Sequence, residues 1–308
     1  MTDQAKYFDI QINGYAGVDW NQDDLSAERM HEGCRLLEES GVEGILATVV
    51  TEKIDAMCGR LARLVELREQ DEQVRRVVAG FHIEGPFLNP MAGYRGAHPE
   101  DAIIPPDADA MKRLLDAAGG LTRIVTLAPE KDAGGALTRL LADQGIVVSA
   151  GHCNPSLDEL RAGIDSGLAM FTHLGNGIPM EITRHDNVIE RALSVCDRLW
   201  IGFIADGAHI PFFALGNYLK VTGLDRAYVV TDCTSAASLP PGRYRLARWE
   251  IEIGEDRVAR SPDGSHLVGS AITMPETAKN LREKMGLDPN QVRTLTYDNP
   301  RRAIGMAG

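Results

Sequence analysis

Eight short apolar runs recur along the chain, at 8–12, 44–50, 77–83, 123–127, 146–150, 168–172, 200–205 and 227–231, and helical patterns fill the gaps between them. One gap opens at Ser26, places Met30, Cys34 and Leu37 on one face and meets a stop signal at Gly41. Another opens at Ser156, where Glu159 completes a capping box, turns Leu160 and Ile164 inward and ends near Gly167. A last helix starts around Thr273, with Pro275 in its first turn. β-type runs alternating with helical crossovers imply a parallel sheet, and eight of them imply a sheet closed into a (β/α)8 TIM barrel. The spacing, about 28 residues per strand and crossover, suits that fold. A doubly wound open sheet has the same periodicity, so the case for closure rests on where the polar residues fall.

Five of the eight runs end in a residue that a buried strand would not ordinarily carry. The third ends in Glu84, the fifth in His152, the sixth in His173, the seventh in Asp206 and the eighth in Asp232. In a barrel these ends converge on one rim, the C-terminal face, where active sites are built. Glu84, His152 and His173 supply three N/O ligands for one divalent metal ion, a set that leaves a position for water. Asp232, arriving from a fourth direction, is the natural base for that water. Each residue has a plainer reading as a hydrogen-bonded rim side chain or a turn cap; it is their joint level at the strand ends that points to a metal site. His82 alternates in phase with Glu84 and reads as a packing residue behind the site. Cys153 and Cys233 point the other way and read as structural, while His31 and His266 read as surface positions.

The chain has 308 residues, 44% hydrophobic and 25% charged, with 32 basic against 44 acidic side chains and a net charge of −12. A chain this acidic, with no basic patch, argues against nucleic acid and anionic membranes as partners. Five scattered cysteines make neither a disulfide framework nor a cysteine zinc knuckle. The first ten residues lack an apolar signal core, and no run of about eighteen apolar residues occurs, so the expected location is the cytoplasm.

The segments GFHIEGPFLNP, YRGAHPE, SAGHCNPS, FTHLGNGIP, ADGAHIP and VVTDCTSAA, in this order, resemble the N-acetylglucosamine-6-phosphate deacetylases of the amidohydrolase superfamily. The DIQINGYAGVDWN start and the late GSAITM and DNPRRAIGM stretches agree, so the resemblance covers essentially the whole chain. It implies a metal-dependent amidohydrolase that removes the N-acetyl group of an amino-sugar phosphate, first of all N-acetylglucosamine 6-phosphate, giving glucosamine 6-phosphate and acetate. Glu84, His152 and His173 match the family's metal ligands and Asp232 its general base and acid. His98 matches the histidine that contacts the sugar and polarises the acetamide carbonyl. Asn176, the backbone at Gly177 and Arg184 match the phosphate-binding positions, and His209 a further substrate-contacting histidine. The resemblance also implies a homodimer.

The sequence departs from the pattern in places. Where many amidohydrolases carry His-x-His on the first strand, this chain reads Asp9-Ile10-Gln11. Gln11 is a poor zinc ligand, so the expectation is one divalent ion per chain, zinc first, with iron, cobalt or manganese also suited to a Glu-His-His set. The accessory β-sandwich usual in the family has no counterpart, and residues 1–308 read as a single barrel domain. An alternating stretch at 243–267 reads as a β-hairpin excursion after strand eight. Gly175, Gly177-Ile178 and the segment after Asp232 also differ from the usual pattern, and these loops touch substrate. Three other readings stay open: hydrolysis of another N-acyl or cyclic amide, a phosphosugar isomerase or epimerase, and a sugar-binding relic without activity.

Overall fold

The computed structural model describes residues 5–306. All eight apolar runs form strands: β1 (Tyr7–Ile12), β2 (Val42–Val50), β3 (Val78–Glu84), β4 (Thr122–Leu127), β5 (Val147–Ala150), β6 (Leu168–Phe171), β7 (Trp200–Ile204) and β8 (Ala227–Val230). They pair in sequence order, every neighbour parallel. The seam between first and last strands is closed just beyond β8: Asp232 N–H donates to Gln11 O at 2.9 Å, Asn13 N–H donates to Cys233 O at 2.8 Å, and Ile12 bridges Cys233 in parallel. The Asp9 carboxylate adds to the seam by accepting from the Thr231 hydroxyl and backbone N–H. The polypeptide thus forms the expected barrel rather than an open sheet.

Side chains alternate across the barrel wall as a period of two requires. Phe8, Ile10, Leu46, Ile124, Met170, Ile204, Tyr228 and Val230 pack together, and Tyr297, Ala303 and Ile304 from the C-terminal helices close this cluster. Residues of opposite parity, such as Ile45, Ala47, Val125 and Leu127, join the larger cluster between strands and helices. Gly202 leaves room for the Tyr228 ring, since a Cβ there would lie 2.5 Å from Tyr228 Cζ.

The helix starts follow the side-chain signals. Ser26 caps the helix Ala27–Glu39, and capping boxes at Ser156/Glu159 and Thr273/Glu276 open Leu157–Asp165 and Met274–Glu283. The excursion after β8 goes further than a hairpin. Strands β9 (Gly242–Leu246) and β10 (Trp249–Ile253) pair antiparallel, and β11 (Ala259–Arg260) adds a third strand. The alternating pattern covers the hairpin, whereas a two-residue strand carries no period of its own. No helix among the described residues is long and apolar enough to cross a membrane.

The side chain of Asn299, fully buried, ties the final helix to the base of β8, donating to Leu224 O at 2.6 Å and Ala227 O at 2.7 Å. Replacing Asn299 with Ala leaves the Leu224 and Ala227 carbonyls without this donor. We expect a loss of about 2–4 kcal/mol of stability, read from the shift of the urea unfolding midpoint.

Candidate metal centre and active site

Strand parity brings the polar strand ends together. In β3, Phe81 and Ile83 face outward, so His82 and Glu84 face inward. Glu84 is buried, and its Oε1 lies 2.9 Å from His173 Nε2 and 3.5 Å from His152 Nε2. The same oxygen accepts from the Gln11 side-chain amide at 2.9 Å, while the Gln11 carbonyl accepts from the Thr172 hydroxyl. Gln11 reaches this place because the β1–β2 register slips between Asp9 and Ile12; strict alternation after Phe8 and Ile10 would send it outward. His82 is saturated by Ile10 O and the Thr126 hydroxyl, and burial lowers its pKa to about 4, in keeping with a packing role.

His98 comes from the loop after β3, and its ring stands edge-on to His152 with centroids 4.3 Å apart. The His152 and His173 rings are 4.9 Å apart. His152 Nδ1 faces Tyr94 O at 3.0 Å; a carbonyl only accepts, so Nδ1 carries a proton and Nε2 is the nitrogen turned toward Glu84. Two loops lie flat on this imidazole. A Cβ at Gly96 would come 2.9 Å from His152 Cε1, and one at Gly177 would come 2.5 Å from its Nδ1. Both glycines have positive φ, as do His152, His173 and Asp232 at φ 50°, 29° and 48°. Holding three non-glycine residues in the left-handed region costs energy, a cost common where side chains must be aimed.

Burial and neighbouring charge set the titration of the cluster. Burial, then the adjacent His152, lowers the His98 pKa to about 3, so its ring is neutral at working pH. Burial disfavours charge on His173, but Glu84 outweighs it and raises its pKa. Burial opposes ionisation of Glu84 as well, yet His152 and His173 hold its pKa well below the carboxylate range. Asp232 is raised to about 6, by burial first and then by the Glu84 charge.

Donor atoms of Glu84, His98 and His152 all lie within 4.8 Å of one another. The expected set was Glu84, His152 and His173; His98 joins the tightest grouping, and His173 sits against the same Glu84 oxygen. His173 Nδ1 is buried with no hydrogen-bond partner among the described residues. Three imidazoles and a carboxylate gathered in one buried site, with ligand atoms of Glu84, His98 and His152 in mutual reach, fit a divalent cation of the borderline class.

The remaining expected residues are more dispersed. Asn176 folds back, its side chain donating to His173 O at 2.9 Å, and Gly177 lies against His152. His209 Nδ1 is 2.7 Å from Asp206 Oδ2 in the loop after β7. Arg184 is exposed in the 181–187 loop, with no ion-pair partner among the described residues, and is not drawn into the cluster. Two contributors carry no signal as isolated letters. Asn13 donates to Asp232 Oδ1 at 2.8 Å; its position two residues after Gln11 is the only hint. Glu130 Oε1 accepts from Asn89 Nδ2 at 2.8 Å and Asn154 N–H at 2.7 Å, linking the loops after β3, β4 and β5.

A closed parallel barrel that gathers this cluster and an acid on its C-terminal rim has the layout a metal-dependent barrel hydrolase requires. No family model matches the chain. It is 31% identical over 300 residues to an N-acetylglucosamine-6-phosphate deacetylase from Bacillus subtilis, covering 97% of this chain and 74% of that protein. It is 28% identical over 305 residues to an N-acetylgalactosamine-6-phosphate deacetylase from Escherichia coli O157:H7, covering 98% and 78%. A structure of N-acetyl-D-glucosamine-6-phosphate deacetylase from Mycobacterium smegmatis, a point mutant in complex with N-acetyl-D-glucosamine-6-phosphate, superposes with a TM-score of 0.88 at 26% identity, covering 98% of this chain and 77% of that one. The chain belongs to the N-acetylglucosamine-6-phosphate deacetylase family, a family of amide hydrolases.

Replacing Gly177 with Ala forces the new methyl into the His152 ring. We expect kcat/KM to fall at least about tenfold and bound metal to drop, with the melting temperature of the barrel close to wild type. Metal analysis, kinetics and a thermal melt on one preparation check this.

Proposed function

We propose that the protein hydrolyses the N-acetyl group of N-acetylglucosamine 6-phosphate, releasing acetate and glucosamine 6-phosphate. The observation that carries the reading is the juxtaposition of the Glu84–His98–His152–His173 donor cluster with Asp232 on one barrel rim. Glu84, His152 and His173, fixed by strand ends, would hold the ion, and His98, carried on a loop, would face substrate. A divalent ion there, zinc first, supplies a Lewis acid for the amide carbonyl and water of lowered pKa.

The protein's own residues then divide the work. Asp232, buried on the same rim as Glu84, accepts a proton from the attacking water and returns it to the departing amine. His98, neutral in its buried position, donates its N–H to the carbonyl oxygen as negative charge develops there. His209 is steered by Asp206 so that its other ring nitrogen is left for a sugar hydroxyl. Arg184, the second N–H of Asn176 and the backbone at Gly177 meet the phosphate. With its amide committed to Glu84 and Thr172, Gln11 offers no second metal position, which supports one ion per chain. The homodimer rests on the family resemblance.

The E. coli relative, named for the galactosamine isomer, favours a second reading in which the 4-hydroxyl has the opposite configuration. Acetate release from N-acetylglucosamine and N-acetylgalactosamine, each with and without the 6-phosphate, separates the readings. We expect the phosphorylated glucosamine derivative to be fastest; equal rates with and without phosphate overturn the phosphosugar assignment. Chelation should abolish turnover and zinc restore it. Asp232→Asn should lower kcat by about 10²–10⁴-fold with metal content retained, and near-normal turnover removes Asp232 from its role.

A further inference from the structure

Asp232 has to be held at one angle if one of its oxygens is to carry the proton between water and amine. Its backbone is clamped from both sides. Its N–H donates to Gln11 O at 2.9 Å, and its carbonyl accepts from Ser270 N–H at 2.9 Å. Its carboxylate meets a single hydrogen-bonding side chain among the described residues, that of Asn13, at 2.8 Å from Oδ1. The same Asn13 nitrogen also reaches the Asp232 carbonyl, at 3.3 Å.

Asn13 is itself immobile. It is buried, its backbone N–H donates to Cys233 O at 2.8 Å, and its carbonyl accepts from Trp20 N–H at 3.1 Å. The orientation of its side chain follows from chemistry: an ionised carboxylate only accepts, so the NH2 group must face Asp232. The amide oxygen is then left buried with no partner among the described residues. A side chain serving packing alone would not carry that unsatisfied oxygen, since an apolar residue of the same shape avoids its desolvation cost.

We infer that Asn13 is a positioning residue for the general base: it occupies Oδ1 of Asp232 and so assigns Oδ2 as the oxygen that takes the proton from water and delivers it to the amine. The inference rests on the reading of Asp232 as the base, and the test separates the two. The metal-loaded full-length enzyme is compared with Asn13→Leu and Asn13→Asp, two replacements of similar shape that remove the donor or replace it with an acceptor. Both should lose about 10–100-fold in kcat, with KM within about threefold and metal content and melting temperature near wild type. If one variant fails to fold, the other decides.

The double variant Asn13→Leu/Asp232→Asn supplies a readout that a merely structural residue would not give. A residue acting only through the Asp232 carboxylate adds no loss once that carboxylate is gone, so the double variant should match Asp232→Asn within about twofold. Wild-type kcat in Asn13→Leu alongside a dead Asp232→Asn overturns the role of Asn13 and leaves the base in place. Full additivity of the two losses overturns it too. Near-normal Asp232→Asn removes the base itself, and with it the inference.

Discussion

One oxygen of Glu84 is the point on which the site is organised. It accepts from Gln11 on the first strand and faces His173 from the sixth and His152 from the fifth. A buried carboxylate is costly unless opposed by charge or donors, so the four strand ends stabilise one another only as a set. The left-handed backbone at His152 and His173 aims the rings inward, and the fitted loops at Gly96 and Gly177 keep the His152 ring in place. The geometry of the cluster follows from satisfying one buried carboxylate.

The seam between the first and last strands matters for a related reason. Closure brings residues more than two hundred positions apart into hydrogen-bond contact, Gln11 with Asp232 and Asn13 with Cys233. Asp9 reinforces it through Thr231, and burial raises the Asp9 pKa to about 7, as expected for a carboxyl held mainly by neutral donors. Asp232 is therefore mounted on the closure itself, so a barrel that failed to close would lose its seam and the placing of that carboxylate together.

Much of this is legible in the sequence because it depends on local pattern. The eight strands follow from apolar runs of strand length, the helix starts from Ser156 with Glu159 three residues on and from Pro275 just after Thr273, and Glu84, His152, His173 and Asp232 from being polar letters at the ends of apolar words. What escapes depends on register and on contacts between distant segments. Asn13 acquires its partner only after a slip in the first ladder and closure with the eighth strand, neither of which leaves a period to read. His98 sits on a loop, so strand logic does not place it and only the resemblance singled it out. Arg184 likewise sits on a loop, exposed, and only the resemblance names it.

The Glu130 carboxylate has a consequence for how the mouth works. By holding Asn89 and the backbone of Asn154 on one oxygen, it fastens three consecutive rim loops into one body, with Asn89 N–H also bonded to His152 O at 3.0 Å. Three of the eight rim loops are stapled. The next loop round the rim, after β6, is tied to the same body: Arg191 bonds Asp186 on one side and the Asn154 side chain and Pro155 O on the other, while most of the 181–186 segment lies in solvent. Displacing any one of these loops therefore shifts the support of His152, against which the loop after β3 lies at Gly96 and Asn89.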